Sequence, residues 1–127
     1  MPHIKRRLRC DAPVGLQHAQ DAQVDLVDGA VAARAGVEQV VDAFGGLDTL
    51  VNNGGVASVG TIEDTTHEEW RRVHAVNLDA VFYGTKAALP LMRLHPPGSI
   101  VILSSTAGRR GSAALSPYIT SKHAVVG

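Results

Sequence analysis

Apolar residues along the chain change their spacing from one stretch to the next, and each change predicts an element. Residues 1–21 follow neither a two-residue nor a 3.6-residue period and are rich in Pro, Arg, His and Gln, so they read as an irregular segment. From Ala22 to Val27 apolar and polar positions alternate, which predicts a short strand, and Asp28 stands where a helix N-cap would follow. Ala33, Val37, Val40, Val41 and Phe44 then recur on one face of a helix, with Arg34, Glu38 and Asp42 opposite, and Gly45-Gly46 offers the left-handed stop. A second strand is predicted over Leu47 to Asn53, closed by Gly54-Gly55.

Thr66 with Glu69, and Thr65 with Glu68, have the capping-box spacing at the head of a long helix. Its apolar positions run from Trp70 through Val73, Val76, Ala80, Val81, Ala87 and Ala88 to Leu91, and His95-Pro96-Pro97-Gly98 ends it. Ser99 to Ser104, built around Ile100-Val101-Ile102-Leu103, reads as the clearest buried strand in the chain. Small residues and glycine predict a loop over 105–116, and a last helix opens near Pro117. Strands separated by helices of this length imply crossover connections, hence an α/β fold with a parallel sheet and helices on its faces. Ligands of such sheets bind at the carboxyl ends of strands. That rule singles out Asp25 with Leu26, Asn52 to Gly55, and Ser104 with Ser105.

Composition narrows the partners. The 127 residues suit one domain, and 45% hydrophobic with 19% charged residues exclude a disordered tail. Twelve Lys and Arg balance twelve Asp and Glu, so no summed field draws the chain to nucleic acid or to an anionic membrane. The basic group Lys5, Arg6, Arg7 and Arg9 reads as a solvated arm, because no basic stripe or aromatic platform accompanies it. No apolar run follows it as a signal peptide requires, and none anywhere reaches the length of a membrane span. The single cysteine, Cys10, can form no internal disulfide, so the cytoplasm is the expected location; no metal site is expected.

Four groups of residues could carry chemistry. Tyr118 and Lys122 are four apart on a predicted helix and share a face, where an ammonium favours the phenolate and makes the tyrosine a general acid or base; a solvated helix face is the plainer alternative. Ser104-Ser105 follow a strand, where a hydroxyl can donate to a substrate oxygen or simply cap a turn. Asn77 lies in a helix among Val73, Val76, Ala80 and Val81, so its amide is expected to be buried and to need partners. Asn52-Asn53-Gly54-Gly55 ends a strand with little side chain, which suits close approach of a ligand and equally a tight turn.

Taken together, in this order and at these separations, the motifs over residues 22–127 resemble the short-chain dehydrogenase/reductase family. Asn52-Asn53-Gly54-Gly55 is similar to its Asn-Asn-Ala-Gly, with Gly in place of Ala. Val76-Asn77-Leu78, Ser104-Ser105-Thr106-Ala107-Gly108 and Tyr118-Ile119-Thr120-Ser121-Lys122 match three more of its motifs. The resemblance implies a three-layer Rossmann-like parallel sheet with flanking helices, present in part as about three strands. It implies an oxidoreductase passing hydride between NAD or NADP and an alcohol or carbonyl substrate. Tyr118 would exchange a proton with the substrate oxygen, Lys122 would assist it and hold the nicotinamide ribose, Ser105 would orient the substrate, and Asn77 would hold a relay water. Asp25 with Leu26 would sit at the adenine, and Asn53, Gly54, Gly55 and Val76 along the cofactor.

One family motif has no counterpart: no Thr-Gly-x-x-x-Gly-x-Gly turn for the pyrophosphate stands in residues 1–127. The chain by itself is therefore expected to be an inactive fragment of such an enzyme, and NAD and NADP are not distinguished. The alternative is a non-catalytic module that pairs with itself or with a relative through its long helices, as a homo-oligomer would.

Overall fold

A computed structural model describes residues 7–10 and 26–127, with side chains from residue 29 onward. Its centre is a parallel sheet of three short strands in the order β1 (Arg7–Cys10), β2 (Thr49–Asn52), β3 (Ser99–Ile102). Leu50 lies opposite Leu8 on one side and Ile100 on the other, so β2 is the middle strand. The connections between strands carry the helices: α1 (Leu26–Phe44) precedes β2, and α2 (His67–His74) and α3 (Ala80–Met92) precede β3. A last helix, α4 (Ser116–Ala124), follows.

The expected α/β architecture is present, but its first strand lies elsewhere. Arg7–Cys10, within the stretch that shows no period, is a strand because its backbone pairs with β2. Four residues are too few to display a period, and pairing is a tertiary event that local pattern does not carry. Leu26 and Val27 are the first residues of α1, and Asp28 is its third residue, not its cap. The rest of the strand expected over Ala22 to Val27 lies outside the described residues.

The core forms where α1 and α3 meet one face of the sheet. Val37, Leu47, Leu50, Ala88 and Met92 make it up, with Val40, Val41, Leu91 and Ile100 packed against them. Gly45 provides the left-handed stop at φ 76°, but Phe44, expected on the buried face of α1, is 62% exposed. Strand β3 is not buried as its apolar run suggests. Val101 and Ile102 are 45% and 41% exposed, and Leu103 just past the strand is 42% exposed; of β3 only Ile100 packs against the core with Leu50. Of the three layers expected, sheet and one helical layer lie within the described residues.

The long helix predicted from Thr66 to Met92 is one continuous rod with a defect. Thr66 caps it, its Oγ1 accepting from Glu69 N at 3.1 Å. Over Ala75–Asp79 the rod widens into a π-turn, in which Ala80 N–H reaches Ala75 O. Such insertions are costly and recur at functional sites. This one holds Asn77.

Candidate active site

Pro117 stands in the first turn of α4, where a missing N–H costs nothing. One turn on, Tyr118 and Lys122 share a face, with Lys122 Nζ 5.9 Å from the centre of the Tyr118 ring. Tyr118 is half-buried, and Lys122 is only 4% exposed. A buried ammonium needs partners. Nζ donates to Leu103 O at 3.0 Å, just past the end of β3, and keeps two further N–H groups. Nζ also lies beside Gly55, where a Cβ would meet it at 3.4 Å.

Asn77 is 1% exposed, as its apolar neighbours predict, and its carboxamide is bonded along both edges. Oδ1 accepts from Val56 N at 2.8 Å, while Nδ2 donates to Val56 O at 2.9 Å and to Ser121 Oγ at 2.9 Å. Both amide protons are thus committed to holding the Gly54–Val56 loop and α4 against the π-turn. A Cβ on Gly55 would lie 3.7 Å from Oδ1.

The two serines after β3 divide their work. Ser104 Oγ donates to Lys122 O at 2.9 Å, tying the strand end to α4. Ser105 Oγ accepts from Ala107 N at 3.1 Å and caps a 3₁₀ turn at Thr106–Gly108, leaving its proton for another acceptor. Of the two roles weighed for this pair, the structure shows the cap at Ser105 and a structural bond to α4 at Ser104. Gly60 N–H donates to Ala114 O at 3.0 Å, which joins the loop after β2 to the loop before α4.

The structure thus brings Asn77, Gly55 and Lys122 together and sets Tyr118 on the Lys122 face of α4. Val76 is half-buried beside Asn77, Gly54 is half-buried, and Asn53 is half-buried with an interaction partner of its own. Leu26 heads α1 and so is not at a strand end, and Asp25 lies outside the described residues. Local pattern passed over Ser121, Val56 and the Leu103 carbonyl. The last two act through backbone atoms, which carry no sequence signal; Ser121 could have been noticed as a serine inside a helix, where it must bond back to the chain.

Residues 13–127 match the profile of the family described as short chain dehydrogenase. The chain belongs to the short chain dehydrogenase family. This short chain dehydrogenase chain is 45% identical over 93 residues to a 3-alpha-(or 20-beta)-hydroxysteroid dehydrogenase of Mycobacterium tuberculosis, covering 73% of the chain and 36% of that protein. It is 46% identical over 85 residues to an NADP-dependent (R)-specific alcohol dehydrogenase of Lentilactobacillus kefiri, covering 66% and 34%. The ligand-free aldohexose dehydrogenase of Thermoplasma acidophilum superposes with a TM-score of 0.75 at 38% identity, over 77% of this chain and 38% of that one. The chain spans about a third of the length of the curated relatives it matches.

Proposed function

We propose that this short chain dehydrogenase chain carries the proton-transfer side of a reversible oxidoreduction between an alcohol and a carbonyl, with NAD or NADP as the other reactant. The observation that carries this reading is the Lys122 ammonium, buried, bonded once to Leu103 O and standing one turn from Tyr118. A lysine held in this way has donors left for ribose hydroxyls, and the absent side chain at Gly55 leaves the space beside Nζ open. These residues fit a nicotinamide ribose. The cofactor, when bound, supplies the hydride acceptor or donor.

In this reading Tyr118 Oη gives a proton to the carbonyl oxygen, or takes one from the alcohol, with Lys122 on the same face of α4. Ser105 donates its remaining hydroxyl proton to the same substrate oxygen. Both amide protons of Asn77 are engaged, so a relay water beside Lys122 rests on other atoms of the turn, and the amide itself anchors the site. Asn53, Gly54, Gly55 and Val76 border the cofactor on the β2 side, and Asp25 stays with the adenine.

Titration of the full chain with NADH and with NADPH, followed by fluorescence, tests this. Binding of at least one is expected, lost in Lys122→Met and kept in Tyr118→Phe. Equal binding by the parent and Lys122→Met would remove the basis of the reading. The proposed setting is the cytoplasm; among the described residues no helix is long and apolar enough to cross a membrane. A second reading, self-association, is favoured by the exposure of Phe82 on α3 and Val31 on α1, 58% and 62%. Sedimentation of only monomer at tens of micromolar would exclude it.

A further inference from the structure

Ser121 lies between Tyr118 and Lys122 in sequence yet has no part in the chemistry just described. It is completely buried. Its hydroxyl has a single proton, directed at Tyr118 O at 2.8 Å, so toward Asn77 it can act only as an acceptor, and Asn77 Nδ2 donates to it at 2.9 Å. The far edge of the same carboxamide is paired with both backbone polar groups of Val56. With Val56 N–H requiring the amide oxygen and Ser121 requiring an amide proton, only one orientation of the carboxamide satisfies every group. A continuous path of four hydrogen bonds then joins the Gly54–Val56 loop to the first turn of α4.

We propose that Ser121 is a positioning residue, which through the Asn77 amide sets where Tyr118 and Lys122 stand against the Gly54–Val56 loop. Packing alone would ask only for a small side chain at this point. The hydroxyl is used in both directions, and removing it leaves one buried Asn77 proton without an acceptor. The link to Tyr118 and Lys122 rests on the functional reading above; the hydrogen-bond path does not.

The test uses the full chain, labelled with nitrogen-15, and the variants Ser121→Ala and Ser121→Cys, the latter close to serine in size and a weaker hydrogen-bonding group. In Ser121→Ala one Asn77 Nδ2 proton signal should move upfield while its partner on Val56 O stays. Exchange of the Val56 amide should quicken about tenfold, the scale of one buried hydrogen bond, with Leu47 and Leu50 amides unchanged. Ser121→Cys should fall between alanine and serine on both signals and in its affinity for NADH, which Ser121→Ala should weaken about tenfold. If Ser121→Ala does not fold, Ser121→Cys decides on the same signals against the parent. Unchanged Val56 exchange, equal losses in both variants, or faster exchange with unaltered NADH affinity would each overturn the proposal. Absence of NADH and NADPH binding in the parent would instead overturn the proposed function, leaving the exchange comparison to decide the role of Ser121.

Discussion

A methyl group at Gly108 would lie 2.5 Å from Ser104 Oγ and 2.6 Å from Lys122 O, two atoms already hydrogen-bonded to one another. Neither can withdraw without breaking the join between the end of β3 and α4. Gly108→Ala is therefore expected to destabilise the chain by about 2 kcal/mol, read from urea denaturation, as overpacking of a closed contact does. Gly55 presents the opposite case. Its added Cβ would meet only the flexible end of Lys122, at 3.4 Å, and the amide oxygen of Asn77, at 3.7 Å. Gly55→Ala should leave the urea midpoint nearly unchanged while weakening NADH binding severalfold, because it fills the space beside Nζ. Both glycines stand in recognisable motifs, yet only the atoms around them reveal that one guards a hydrogen bond and the other a vacancy.

At the scale of elements, the start of α2 at Thr66 follows local chemistry, whereas α1 starts before the cap read at Asp28. Half of the capping box at Thr66 forms: the threonine accepts from Glu69 N, while the Glu69 carboxylate turns to Arg72 at 3.5 Å. Thr66→Ala should cost about 1 kcal/mol, and Thr66→Ser only a small part of that, in thermal or urea unfolding. The π-turn over Ala75–Asp79 was not legible, since one residue added to a turn shifts the apolar spacing too little to stand out, although it leaves Ala80 exposed. What makes the widened turn stable is the set of bonds made by Asn77 to Val56 and Ser121, residues 21 and 44 positions away. Strand β1 escaped notice for the same kind of reason, as its partner β2 begins at Thr49.

For the whole molecule, the decisive feature is that α1 and α3 pack on one face of the sheet, so the two faces should answer mutation differently. Leu50, fully buried in the core, should lose about 3 kcal/mol on change to Ala. Val101, 45% exposed on the other face, should lose less than about 0.5 kcal/mol on change to Thr. Because Val101 and Leu103 present exposed apolar surface at a strand, Val101→Glu should also lower concentration-dependent light scattering of the chain. The sequence by itself determined the helices and strands from α1 onward, the caps and stops at Thr66, Gly45 and Pro117, and the motifs that hold Ser105, Tyr118 and Lys122. These depend on neighbours within a turn or two, where periodicity and capping act. Only the tertiary structure decided that residues 7–10 pair with β2, that β3 is exposed apart from Ile100, and that Asn77, Ser121 and Val56 form one hydrogen-bonded unit. Those outcomes belong to backbone groups and buried amides satisfied by partners distant in the chain, and such partners exist only once the chain has folded.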